Sequence, residues 1–501
     1  MSGFLTPEEL RKLKPAETAA FASPIPTQMV SSDEFYPHRQ NKQQREVEAR
    51  LKTMGADLAR KQGLSRRAFF TTAAGMATAF LAMNQVYGGL FDVTPAEAAT
   101  PELAQQRANS LSDQFIFDCH THFLRDDTRV NLFVQMRKAV GNMGWNPDLK
   151  GKEQTLEDLK YNNYYKEMYL DSDTKVALIS SAPSDVPRDW FLTNEMMAQA
   201  RAKINKAAGG SRRMLSHIIF TPGQPGWLEN LDRALALKPD SVKGYTIGDN
   251  THKELSRYPW RMDDEKMVYP AYEKFQKAGI KNVCVHKGLF PPSVEKQFPK
   301  LRPYVDVTDV GKAAKDWPQL NFIIYHSGFR NVGDPDGTDS AEAWAFLEKT
   351  GRCEWVTDLV EIPAKYAVTN VYGDLGQIFA ASTIAQPRLA AYLVGILVKG
   401  LGADRVVWGS DAVWTGSPQW QIEGLRRLEI PDDMQKKFGL KPLGAADGPV
   451  KTAIFSGNNV RLYNYQAPAT WKKMDRFSAL KQDYLHSGPS RTNLRYGYIA
   501  G

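Results

Sequence analysis

The sequence predicts an α/β protein built as a (β/α)8 TIM barrel, with insertions at the carboxyl-terminal face of its strands. Three observations predict it. From residue 115 onward, eight short apolar runs are each followed by a helical stretch. Strict strand–helix alternation implies parallel pairing with right-handed crossovers, and eight such units suggest a closed barrel of about 250 residues plus insertions. The runs are short and apolar, as expected when both faces of a strand are buried. The competing architecture, an open doubly wound sheet, has no support. No run leads into G-x-G-x-x-G or a P-loop.

Residues 1–98 read as an address. Residues 1–64 are polar, charged and rich in Pro, Gln and Glu, which predicts a disordered n-region. Then come Ser65-Arg66-Arg67-Ala68-Phe69-Phe70, an apolar stretch over 69–90, and the small-residue site Ala96-Glu97-Ala98-Ala99. Charged region, apolar region and cleavage site are the layout of a secretory signal. The paired arginines resemble a twin-arginine signal, which implies the export machinery of that route as a partner and a periplasmic location. The alternative is a retained membrane anchor. Asn84 and Gln85 and the many Gly and Thr weaken it. The barrel is expected over 99–465, and 466–501 forms a C-terminal extension.

A short polar helix at 101–112 leads into the first strand run, Phe115-Ile116-Phe117. A long segment then reaches a Tyr-rich helix at 161–170; a loop this long after a strand end often walls a pocket. The later strand–helix pairs are 175–180 with 189–206, 215–220 with 227–237, 242–247 with 264–278 and 282–286 with 307–316. They continue with 321–326 and 341–349, 368–373 and 387–398, and 406–409 and 421–428.

Bulk properties exclude several classes. The chain has 501 residues, enough for one large domain or two ordinary ones. A net charge of +8 is spread along it without a dense basic patch, which argues against a nucleic-acid partner. The three cysteines, Cys119, Cys284 and Cys353, form no C-x-x-C and cannot all pair, so buried thiols are expected.

The chemistry concentrates at strand ends. In Asp118-Cys119-His120-Thr121-His122, residues i and i+2 point to one face of a strand, so two imidazoles project together with Asp118 behind them. Of eight histidines, four end strand runs: His120, His122, His286 and His326. The eighth strand ends in Gly409-Ser410-Asp411. A barrel carries its catalytic groups at that face. Imidazoles converging with a carboxylate suit a zinc-like ion. His38, His217, His252 and His486 have no such context and read as ordinary.

Together, D-x-H-x-H at 118–122, His286, H-S-G at 326–328 and G-S-D at 409–411 resemble the amidohydrolase superfamily, and within it the amidohydrolase-related branch. Trp317-Pro318-Gln319-Leu320-Asn321 and Ser456-Gly457-Asn458-Asn459-Val460-Arg461-Leu462-Tyr463 are similar to that branch as well. The resemblance implies one divalent metal, zinc first and manganese second, held by His120, His122, His286 and Asp411. It makes His326 the acid/base or oxyanion-polarising group, and Asp411 could also take a proton. Lys243 lies in the fourth strand, where some superfamily members carry a carboxylated lysine bridging two metals. Its place at the strand's beginning puts it at the closed rim or on the exterior, which favours a single metal. Asp374 either orients a metal ligand from behind or caps the next helix. Lys287 and Arg330 stand just beyond His286 and His326, where either could receive a substrate carboxylate.

The expected function is a metal-dependent hydrolase, in which metal-activated water attacks a lactone, amide or ester carbonyl of a small substrate. The alternative is a nonoxidative decarboxylase of an aromatic or enoic acid. A noncatalytic barrel would show lost ligands, and none is lost. Related barrels often pair, which leaves a homodimer open.

Overall fold

The structure, a computed structural model, describes residues 23–30, 32, 36–37, 39–145, 149–330, 338–467 and 476–487. Eight parallel strands lie side by side in sequence order. They are β1 (Phe117–Thr121), β2 (Val176–Ile179), β3 (Met214–Ile219), β4 (Ser241–Tyr245), β5 (Asn282–His286), β6 (Asn321–Tyr325), β7 (Val371–Asp374) and β8 (Val406–Val407). The ring closes where β1 meets the chain after β8. Cys119 N donates to Trp408 O at 3.0 Å, and Asp411 N to His120 O at 2.9 Å. This is the predicted (β/α)8 barrel.

The strands form because their residues suit burial on both faces. Nearly every strand residue is buried. Inside the barrel, Phe117, Cys119, Leu215, Cys284, Ile323 and Tyr325 make one apolar cluster with Tyr463 and Tyr465. The two late tyrosines pack on Phe117 at ring-centroid distances of 5.4 and 5.5 Å, closing the end of the barrel where the strands begin. Several helices appear that periodicity did not reveal, Leu132–Asn142, Val356–Tyr366 and Gly376–Ala385 among them. Gly376–Ala385 is buried on every side, so it has no polar face to set a period, and Val356–Tyr366 contains Pro363. β8 is shorter than expected: the N–H of Trp408 donates to Ile454 O, and only its carbonyl bonds to a strand, accepting from Cys119 N.

The described part of the first 98 residues packs into the fold instead of standing outside it. Helices Lys42–Lys61, Arg66–Phe70 and Ala73–Tyr87 contribute Leu51, Phe69, Phe70 and Phe80 to the apolar cluster that holds Phe379, Trp408 and Trp420. Contact is intimate: a Cβ on Gly75 would lie 2.3 Å from Phe69 O. Asn84 accepts from Leu90 N at 3.1 Å and Phe91 N at 3.0 Å. Arg427 forks onto Glu97 at 2.7 and 3.2 Å. A helix apolar on all sides reads the same from sequence whether it fills a core or leads a chain outward. Among the described residues no helix is long and apolar enough to cross a membrane. Residues 1–22, His38 and the C-terminal stretches 468–475 and 488–501 lie outside the description. Within the extension, helix Arg476–Ser487 docks by Tyr484 Oη donating to Asp171 Oδ1 at 2.7 Å.

Candidate active site

Four strand ends deliver the five predicted groups to one cavity. It is lined by His120, His122, His286, His326 and Asp411. His120 Nε2 stands 3.1 Å from His122 Nε2. Asp411 Oδ1 lies 3.3 Å from the first nitrogen and 3.4 Å from the second. The His326 ring packs 4.8 Å from that of His286 and 4.9 Å from that of His120, centroid to centroid. All five side chains are buried.

Backbone strain aims several of them. His326, Ser327 and Asp411 hold φ of 59°, 48° and 58°, a region non-glycine residues enter at a cost of roughly 1–3 kcal/mol each. Asp118 Oδ1 accepts from His120 N at 3.1 Å and Ser410 N at 3.0 Å, tying the two chain ends that carry metal-ligand candidates. Burial pushes the Asp118 carboxyl up to about 7.

The donor set fits a divalent cation. Two imidazole nitrogens facing each other at 3.1 Å beside a carboxylate oxygen need a proton or a cation among them. Burial, aided by the charge of Lys243 and by the other histidines, holds His120 well below the usual imidazole range. It is therefore neutral, the form that ligates metal. Its other nitrogen, Nδ1, meets Asp374 Oδ2 at 2.9 Å; facing an ionised Asp374, Nδ1 carries the proton and leaves the Nε2 lone pair to the cluster.

Asp374 touches both His120 and the start of the helix that follows β7. It orients His120, and it also accepts from the backbone of Gly376 at the start of the next helix. Burial pushes its carboxyl up to about 8. Gly376 is required here: at φ +40°, a Cβ would fall 2.7 Å from His326 Nδ1 and 2.8 Å from Asp374 Oδ2. The neighbouring Gln377 N donates to His326 Nδ1 at 3.3 Å. A neutral His326 therefore carries its proton on Nε2.

Three sequence expectations are corrected. Lys243 is neither at the closed rim nor outside. Ser241, Lys243 and Tyr245 share the inward face of β4, and the lysine stem reaches the site. Its Nζ lies 3.4 Å from His120 Nε2 and 3.6 Å above the Tyr325 ring centre. Lys287 does not face the cavity. One residue beyond His286, it points to the opposite side, where Nζ donates to Asp309 Oδ2 at 2.8 Å and Tyr304 O at 2.9 Å. Arg330 pairs with Glu354, and with Glu295 at 2.7 Å, away from the cavity lining.

Other lining groups had weaker signals. Trp414 stacks on His122 at 5.4 Å and on Phe133 at 5.2 Å, and Phe191 meets its edge. Phe133 comes from helix Leu132–Asn142 in the long segment after His122, which was expected to wall a pocket, and Trp414 from the loop after β8. His217 is the ordinary core histidine anticipated. It is bonded to Ser241 Oγ and Tyr325 Oη at 2.8 Å each, and so steadies the ring beneath His120. His252 meets Asp189 at 3.0 Å; the side chain of His486 lies outside the description.

A barrel presenting strand-end histidines and an aspartate around one cavity has the form of a metal-dependent enzyme. The chain belongs to the amidohydrolase family, whose model matches residues 117–465, and it is an enzyme. No curated protein sequence matches it. Solved structures similar to it include 5-carboxyvanillate decarboxylase from Sphingomonas paucimobilis, at 13% identity over 70% of this chain and 100% of that one, with a TM-score of 0.38. Another is 2,6-dihydroxybenzoate decarboxylase from Rhizobium, at 12% identity, 70% and 99% coverage and a TM-score of 0.38. A third is an amidohydrolase from Burkholderia multivorans with bound zinc, at 13%, 70% and 99%, and 0.37.

Proposed function

We propose that the chain is a hydrolase using one divalent metal, zinc first, to open a lactone, amide or ester of a small planar substrate. The observation that carries this reading is the meeting of His120, His122 and Asp411 within 3.1–3.4 Å on a wall shared with His286 and His326. His120, His122, His286 and Asp411 would hold the ion. Nitrogen-rich ligation with one carboxylate favours zinc, while manganese remains compatible with the carboxylate. When bound, such an ion polarises a carbonyl or carboxylate and acidifies water.

The protein's own groups do the rest. Asp411, carried on a fixed and strained backbone, takes the proton from the attacking water. His326 offers Nε2–H to the oxygen on which charge develops, and Asp411 passes the proton it took from water on to the leaving group. Asp374 keeps His120 in the ligating tautomer. Phe133, Phe191 and Trp414 exclude water and hold a flat substrate.

That aromatic wall favours a second reading, decarboxylation of an aromatic or enoic acid, in which His326 delivers a proton to carbon. One assay separates the two. Incubated with lactones and aromatic acids in ¹⁸O-water, a hydrolase places the label in its product and releases no carbon dioxide. Stoichiometric carbon dioxide without label would replace the hydrolase reading with the decarboxylase.

A further inference from the structure

One wall of the cavity does not come from the barrel. Ser32 lines it together with the histidines. Ser32 is 3% exposed, and among the described residues its Oγ has no hydrogen-bond partner. A buried hydroxyl costs free energy until it finds a partner. At this place the partner is a polar atom of whatever occupies the cavity.

The segment carrying Ser32 is firmly held. Ile25 and Val30 are fully buried and join the apolar cluster of Leu289, Phe329, Ile378 and Phe379, residues that follow β5, β6 and β7. Val30 O accepts from Gln377 Nε2 at 3.4 Å, and the backbone N–H of the same Gln377 reaches His326. Upstream, Thr27 Oγ1 donates to Glu48 Oε2 at 3.1 Å, and Gln40 Nε2 donates to Thr27 O at 3.2 Å. These bonds moor the strap to helix Lys42–Lys61, which packs on helix Ala73–Tyr87.

We propose that Ser32 contacts the substrate and that the strap before it is a built-in wall of the active site, so the first hundred residues belong to the working enzyme. This rests on the reading of the histidine cluster as the active centre. The polar groups Ser32, Asn250 and Thr251 that share the lining are neutral, so the substrate feature they read is a hydroxyl, carbonyl or carboxylate held by hydrogen bonds.

The test uses the full chain, treated with chelator, in four forms: wild type, Ser32→Ala, Ser32→Trp and Val30→Asp. Each is exposed to diethylpyrocarbonate, and acylation of His122, His286 and His326 is read by peptide mass spectrometry against the partly exposed His252. Val30→Asp, by freeing the strap, should raise labelling at the three site histidines about tenfold or more. Ser32→Trp, by filling the cavity, should lower it. Ser32→Ala should leave labelling as in wild type and raise KM with little change in kcat. Should Val30→Asp fail to fold, Ser32→Trp carries the labelling test alone. Unchanged labelling in folded Val30→Asp and Ser32→Trp would overturn the wall, and an unchanged KM in Ser32→Ala would overturn the contact. The intact mass of active protein from its natural host gives a further check. The expected mass includes the segment that carries Ser32; an active chain cut after Ala99 has no Ser32 and would overturn the proposal. The labelling does not depend on metal or turnover, so it separates failure of the wall from failure of the proposed function.

Discussion

His120 is held from two sides, by Asp374 behind it and by the ligand cluster in front. Replacing Asp374 with Asn keeps the shape but lets the amide present its NH2 to Nδ1. Metal affinity should then fall about 10–100-fold with the fold intact, read by competitive metal titration and circular dichroism. His326 stands beside the ligands and is proposed to donate to the oxygen on which charge develops. His326→Asn should lower kcat about 10²–10⁴-fold while metal content stays as in wild type. At this scale the sequence was informative where chemistry sits at a strand end: His120, His122, His286, His326 and Asp411 each close or follow an apolar run. It failed on Lys243, whose long stem lets a residue in mid-strand reach the rim. It failed on Lys287 because the alternation that aims His286 inward aims its neighbour outward. Ser32 was invisible, since nothing local marks a serine that a distant fold brings to a cavity.

Among the elements, helix Ala73–Tyr87 discriminates most between an address and a core. Phe80 in it is fully buried, 4.8 Å from the Phe91 ring and beneath the Arg427 guanidinium. Phe80→Ala should therefore destabilise the protein by about 3–5 kcal/mol, measured by urea unfolding. A leader lying outside the fold would leave the midpoint unchanged. The eight strands were legible because doubly buried parallel strands are continuous apolar runs. The helix Gly376–Ala385 was not, for a related reason: burial on all sides erases the helical period, while Pro363 interrupts the pattern of Val356–Tyr366.

For the whole molecule, closure depends on ion networks that join segments far apart in sequence. Arg426 reaches Asp173 at 2.7 Å, Glu423 at 2.7 Å and Leu111 O at 2.9 Å, linking the first helix of the barrel region, the chain before β2 and the last barrel helix. Although burial works against ionisation, Arg426, with Lys481 and Lys175, holds the Asp173 carboxyl well below the usual carboxylate range. A depressed carboxyl contributes stability that is present above its unfolded value, about 4, and is lost as pH falls from there toward the folded one. Melting temperature should drop as pH is lowered from about 5 to 2, and Asp173→Asn should flatten that drop while costing about 1.5–3 kcal/mol at pH 7. The barrel as a whole could be read from strand–helix alternation; its N-terminal collar could not, because the same apolar helix serves two architectures. The central claim is that His120, His122, His286 and Asp411 hold one divalent metal ion. The most direct measurement is elemental analysis of the full chain purified without chelator, beside His286→Ala. The account predicts about one equivalent of zinc or manganese per chain, removed by chelator, restored by reloading, and strongly reduced in His286→Ala. A wild-type chain that neither retains nor takes up a divalent metal would contradict it.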